Sequence, residues 1–384
     1  GQRSGVSMWD ITVRNVANTA NIPGRVFVDY LAQITGGNGA SRRVNSTLYT
    51  VTNDGFIYQV DFRGLDPNGF IFYGNRVGFL DPDGKTPLYH DLVTNNNQLT
   101  NPVGGVILAP ASAKMFFSYP SADLPANILP TPTQPSISNI SFLGSASANN
   151  AYFSNGGEFT YTGNIGGINQ IVISRDGVNF DPTNANNRVL YAQSVVGVNT
   201  ITWDGKDNAG VAFPVGNDYA YKMTFHAGEY HFPMLDVENS MLGGPTITLL
   251  NPIGGTCPLA TCRQAFYDDR GYKVSTGVTV GTVGTVLPGD ANAVNPPDPA
   301  FSDPVTGYDT ASTTQRNFGN DSGTGFGNWK GLDLWTYFPV APIEGTLNVI
   351  AQVNQDLRIV KSHSSIFNIG SSGGTFSLLV TNAG

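Results

Sequence analysis

The densest set of chemically capable side chains is the stretch FHAGEYHFPMLDVEN, residues 225–239, which holds His226, Glu229, His231, Asp236 and Glu238. Imidazoles and carboxylates at this density can ligate a metal. If the stretch is an extended strand, Glu229 and His231 share one face, and so do Asp236 and Glu238. His226 then points away from His231, and a zinc ion held by both imidazoles would need a bulge between them. The competing expectation is a hydrogen-bonded polar cluster, with His231, Asp236 and Glu238 at its centre, at a junction between domains. AFYDDRGY, residues 265–272, is then its partner.

A second candidate is DPDGKTPLYHD, residues 81–91, which places Asp81, Asp83 and Asp91 around a tight turn. Several hard oxygens on a turn suit calcium. The spacing is not that of an EF-hand, because the final bidentate Glu and the intermediate ligands are missing. Asp-x-Asp-Gly is equally a good turn. Asp176 with Asp181, and Asp204 with Asp207, are weaker versions of the same signal. No cofactor is expected, and calcium is the one ion these residues suit. The two cysteines, Cys257 and Cys262, are spaced to close a small disulfide loop, and no second ligand pair for structural zinc accompanies them.

Catalysis has little support. There is no Gly-x-Ser-x-Gly, and NIGSSGGT at 368–375 reads as a turn. A glycosidase would need two carboxylates facing each other across a cleft, and Asp236, Glu238, Asp268, Asp269 and Glu344 do not reveal convergence in one dimension. The chain is therefore not expected to be an enzyme. In GNWKGLDLWTYFP, residues 327–339, Trp335 and Tyr337 share a strand face and suit a core. Trp329 lies beside a Gly-rich loop and is the candidate for stacking on a glycan.

The elements that must position these residues read as strands. GRVFVDYLAQI (24–34), STLYTVTNDGFIYQVDF (46–62), GFIFYG (69–74), QIVIS (170–174), DYAYKMTFHAGEYHF (218–232) and TLNVIAQV (346–353) alternate apolar and polar residues and end at Gly, Asn, Asp or Pro. NDG at 53–55 and RDG at 175–177 are hairpin signals. Helical periodicity is almost absent, which predicts an all-β chain of sandwiches. Of 384 residues, 46 are Gly, 24 are Pro and only 12% are charged, with a net charge of −8. That charge argues against nucleic acid as a partner, and no apolar run is long enough to span a bilayer. Low Lys content and a local disulfide point to an exported, extracellular protein. The expected organisation is an N-terminal sandwich over 1–119, a Pro-rich linker over 120–135, a domain over 136–250, a β domain with a long irregular loop over 251–345, and terminal strands over 346–384.

Two stretches carry a family resemblance. ITWDGKDNAGVAFPVGNDYAYKMTF, residues 201–225, resembles the closing hairpin of Ig-like domains in the flagellar hook-capping protein and in carboxy-terminal domains of secreted bacterial proteins. The polar residues there mainly shape a turn below Trp203. DLRIVKSHSSIFNIGSSGGTFSLLVTNAG, residues 356–384, is similar to the start of an Ig-like repeat strung in tandem along bacterial surface proteins, and the front of the chain resembles a region that precedes such repeats. The resemblance implies Ig-like modules with an incomplete repeat at the C-terminal end and a cell-surface location. It implies no reaction.

These readings lead to an extracellular structural protein, a subunit or module of a surface fibre, sheath or layer that self-associates into a polymer. A half repeat leaves strand edges unpaired, so either the chain continues past Gly384 or Asp356, Ile359, Phe376, Leu378 and Val380 belong to a strand pairing with a neighbouring subunit. The alternatives are a carbohydrate-binding adhesin module and, further off, a polysaccharide-active enzyme.

Overall fold

A computed structural model of the chain describes residues 11–34, 43–66, 69–95, 100–257, 262–289, 299–311, 314–319, 326–352, 357–364, 366–370, 372 and 374–382. Among them every regular element is a strand, apart from single 3-10 turns such as Val103–Gly105. The all-β expectation holds, because the sequence alternates and rarely repeats at helical spacing.

The middle of the chain is a sandwich. Ile137–Gly144, Gly157–Gly163 and Gly197–Trp203 form a three-stranded sheet. It faces a larger sheet with the order Asn150–Tyr152, Ile343–Ile350, Gly216–His231, Gly167–Ile173 and Arg188–Ser194, and Trp335–Pro339 pairs with the far end of Gly216–His231. Alternate residues of each strand point inward, so Phe142, Phe159, Tyr161, Ile171, Trp203, Tyr221 and Leu347 make one core. Trp203 is fully buried and its indole N–H donates to the Lys206 carbonyl at 2.9 Å. Gly205 and Gly210 take positive φ, and Asp207 caps the Val211 amide while pairing with Arg175 at 2.7 Å. The polar residues of this hairpin thus serve the turn.

Two further five-stranded sheets and four two-stranded pairs hold the other described strands. One runs Phe27–Val28, Lys114–Phe116, Thr47–Val51, Ile57–Asp61 and Thr246–Leu249. The other runs Tyr30–Ile34, Gly69–Tyr73, Met234–Leu235, Lys330–Leu332 and Leu92–Val93. The Asn53-Asp54-Gly55 turn joins Thr47–Val51 to Ile57–Asp61 as the hairpin signal predicts. Sheet membership crosses the limits drawn from composition. Residues 234–249 and 330–332 pair with N-terminal strands, while Ile343–Ile350 completes the middle sandwich. In the Pro-rich segment, Leu124, Ile128 and Leu129 pack on Val51, Ile57 and Phe116.

The strand Gly216–His231 links the cores. Its first residues, 216–220, are exposed or half-buried, Tyr221 to Phe225 alternate buried and half-buried positions, and from Phe225 to His231 both faces are buried. There it enters the largest core, where Phe62 stacks on Phe72 at 4.5 Å and Tyr58 on Tyr230 at 5.3 Å. The chemically capable residues of 225–231 are therefore carried into the interior.

Candidate functional site

His226, Glu229 and His231 lie at the buried end of that strand. Strict alternation would separate the two imidazoles, but a bulge intervenes. The register against Trp335–Pro339 shifts between Ala227 and Tyr230, and Gly228 sits at φ +59°. A Cβ at Gly228 would fall 2.3 Å from the Phe56 ring, so only glycine fits. The bulged peptide is held from both sides: its N–H donates to Asp54 Oδ2 at 2.8 Å and its carbonyl accepts from the Tyr58 hydroxyl at 2.8 Å. The extra residue resets the alternation. His226 Nδ1 and His231 Nε2 then both reach Glu229 Oε1, at 3.1 and 3.3 Å, which corrects the expectation that His226 points away from His231.

The far side of His231 is taken by Asp333, whose Oδ2 lies 2.7 Å from Nδ1. Burial by itself would drive the proton off His231, yet Asp333 and Glu229 outweigh it and raise its pKa to about 9. Burial would likewise raise Glu229, but the His226 and His231 imidazoles hold it at about 2. At neutral pH His231 is thus an imidazolium beside the Glu229 carboxylate. Tyr89 donates its hydroxyl to the same Glu229 oxygen at 2.7 Å, and burial with that carboxylate pushes its ionisation far up.

A second layer of ions lies behind Asp333. Arg316 Nη2 donates to both Asp91 oxygens at 2.9 Å, and Asp91 Oδ1 accepts the Asp333 amide at 2.7 Å. Lys330 Nζ donates to both oxygens of Asp269 at 2.8 Å. Asp268 accepts from Arg270 at 2.9 and 2.6 Å and has His90 at 3.5 Å. Burial opposes its charge, but His90 and Arg270 hold the Asp268 carboxyl well below the usual range. Buried charges are tolerated only with partners of this quality.

Beside the polar row opens a cleft of about 380 Å³ between the middle sandwich and the segments around Tyr89 and 266–273. Its walls mix aromatic rings with charged side chains, Asp268, Arg270 and Lys273 among them. Tyr337 lies flat on His226 at 3.8 Å and on Phe266 at 5.3 Å, Tyr89 packs on Tyr191 at 4.4 Å, and Trp335 stacks on His231 at 5.8 Å. His226 turns Nδ1 to Glu229, and its Nε2 is buried without a partner.

The residues singled out from sequence fall in several places. Asp81 and Asp83 share a turn, with the Asp83 amide donating to Asp81 Oδ1 at 3.2 Å. Asp81 also takes Ser275 N–H at 2.9 Å, whereas Asp83 takes the Lys85 and Thr86 amides. Asp91 is instead bound to Arg316, so the structure does not bring the three together. Among the described residues no three His, Cys, Asp or Glu side chains are grouped as a metal ion requires. Asp236 is half-buried at φ +62°, and burial with the nearby Glu238 raises its pKa to about 6. Asp236 and Glu238 are thus coupled to each other, while the partners of His231 are Glu229 and Asp333. Trp329 is half-buried, with its carbonyl accepting from the Thr94 amide at 3.0 Å. Trp335 is buried in the largest core and Tyr337 packs against it, partly buried. Cys257 and Cys262 form a disulfide with a Cα–Cα distance of 5.5 Å. Ile359, Phe376, Leu378 and Val380 are exposed, and Asp356 lies outside the described residues.

Asp333, Lys330, Arg316 and Tyr89 were not anticipated. Asp333 and Lys330 carried a usable signal, as lone charges in the apolar run WKGLDLW. A charge in such a run is either an error of strand assignment or a buried, paired ion. Arg316 and Tyr89 sit in irregular segments and gave no sign.

Compared with known proteins, the chain matches no family model, no curated protein and no solved structure.

Proposed function

We propose that the protein is an extracellular structural module of a cell-surface fibre, sheath or layer, built of Ig-like sandwiches and joined to a second copy of itself by strand-to-strand contact. The observation that carries this reading is the hairpin Leu357–Ser362 with Ser377–Asn382. Its two strands pair only with each other among the described residues. Its apolar side chains stand in solvent: Ile359 is 64% exposed, Leu378 65% and Val380 55%. Such a hairpin, two-stranded and paired with no other sheet among the described residues, is marginal alone and gains stability from a partner sheet.

A copy of the same chain offers that partner. Gly197–Trp203 ends the three-stranded sheet with an edge that no other described strand pairs, and Val195, Val196 and Val198 at its start are exposed. Arg358 and Lys361 are the only charged residues within 357–382, so a positive hairpin would meet a body of opposite sign in a chain of net charge −8. A donor edge at one place and an acceptor edge at another make a head-to-tail contact, which generates filaments when it does not close. Sedimentation velocity and negative-stain microscopy of the chain with and without residues 356–384 test this. Polymers from the intact chain and monomers from the shortened one support it, and monomers from both overturn it.

A further inference from the structure

We propose that Lys330 and Asp269 condense to an intramolecular amide, a covalent stitch between the strand Lys330–Leu332 and the segment 266–273. The assembly hairpin plays no part in it. Lys330 Nζ lies 2.8 Å from each oxygen of Asp269. An atom equidistant from both oxygens sits on the plane that bisects the carboxylate. That places Nζ roughly 3 Å from Cγ, the separation of atoms poised to react.

Both groups are held in place and kept from water. The Asp269 amide donates to the Ala300 carbonyl at 2.8 Å, and the Asp269 carbonyl accepts from the Leu287 amide at 2.7 Å. Lys330 is paired with Val93 across the sheet. The two side chains are 1% and 0% exposed, and the Phe326 ring lies 4.4 Å from Nζ. Groups fixed on rigid backbone react with the high effective concentration of an intramolecular step. Exclusion of water removes the solvation that keeps ammonium and carboxylate as separate ions at a surface, and it withholds the reactant that would hydrolyse the product. A second lysine–carboxylate pair, Lys222 with Glu344 at 2.9 Å, is 35% and 62% exposed and lacks that drive. The buried partner of Asp91 is Arg316, whose guanidinium stays charged and does not attack a carboxyl.

The step starts from the ion pair and needs no oxidant or co-reactant. One Nζ proton crosses the hydrogen bond to a carboxylate oxygen, and the freed lone pair attacks Cγ to form the C–N bond. A second proton passes from nitrogen to the same oxygen, the C–O bond breaks, and one water leaves with both protons. The third proton stays as the amide N–H. Asp91 supplies a carrier for the second proton: burial pushes its carboxyl well above the usual range, and the charges of Asp269 and Lys330 both act on it. Two buried charges vanish in the product, which removes a cost that the interior otherwise bears.

Mass spectrometry of the full chain, with the Cys257–Cys262 disulfide reduced, reads the product directly. The expected mass falls below that of the sequence by one water, about 18 Da. Trypsin then locates the link: cleavage after Lys330 is lost, and residues 264–270 appear joined to residues 317–358. Lys330→Arg keeps the charge but supplies no amine, and it is expected to restore the full mass. The wild-type map decides the matter even where that variant does not fold. A chain of full mass that trypsin cuts after Lys330 overturns the proposal. So does a loss of water that maps elsewhere, for instance to an Asp-Gly turn such as Asp204-Gly205. Removal of residues 356–384 is expected to leave the link in place, so crosslinking and assembly succeed or fail separately.

Discussion

Asp333→Asn tests the reasoning about the buried row most sharply. Asp333 accepts from His231 at 2.7 Å, and with Glu229 it raises the His231 pKa from 6.5 to about 9. Raising it that far corresponds to about 3 kcal/mol of stability linked to the imidazolium. Since the folded-state pKa is raised, the contribution is fully present below the unfolded value of 6.5 and is lost as pH rises through about 9. Glu229 shows the mirror case: with its pKa lowered to about 2, its contribution is present above the ordinary 4.5 and is lost as pH falls through about 2. The two values describe largely the same Glu229–His231 contact and are not additive. Asp333→Asn removes the stronger of the two anions facing His231 and leaves Glu229, so the variant is expected to lose the larger part of that, about 2 kcal/mol, near pH 6. The difference should shrink toward pH 9, where wild-type His231 is itself losing its proton. Urea denaturation at stepped pH measures both, and proton NMR of the four histidines assigns the cause. Wild type should show one histidine titrating near 9, and that titration should move down in the variant. A pH-independent difference between the two proteins, or four histidines all titrating close to the ordinary value, would refute the reasoning.

Two other outcomes follow from the same geometry. Gly228→Ala puts a methyl group 2.3 Å from the Phe56 ring at a positive φ, so it is expected to destabilise by about 2 kcal/mol or more and to separate His226 from Glu229; thermal melting and the His226 NMR shift report the two effects. Arg316→Met leaves Asp91 buried without its cation and should cost about 3–5 kcal/mol in urea denaturation, with the loss partly recovered by the double variant Arg316→Met, Asp91→Leu.

Much of the β architecture was legible in the sequence. The turn at Asn53-Asp54-Gly55, the strand read at 346–353 and the Trp-Asp-Gly hairpin at 203–205 all depend on neighbours a few residues apart, and local spacing encodes them. The candidate site was legible only in part. Clustering of His226, Glu229 and His231 marked the right strand, but the facing of the imidazoles was misjudged because a single bulged residue inverts parity. What holds that bulge is Asp54 and Tyr58, far away in the chain. Asp91 looked like a member of a calcium turn with Asp81 and Asp83. In the fold its partner is Arg316, more than two hundred residues on.

By itself, then, the sequence determined the period of the strands, the turn chemistry and the overall balance of charge. These are properties of neighbours within a few positions, where pleating and backbone sterics act. The tertiary structure alone decided which charges are buried, which partner neutralises each, and that aromatic side chains from the middle sandwich, the Tyr89 segment and the Trp335 strand enclose one cleft. Those outcomes arise from long-range strand pairing, in which residues distant in sequence share a low-dielectric interior. Only there does a carboxylate 2.7 Å from an imidazole hold its proton to about pH 9.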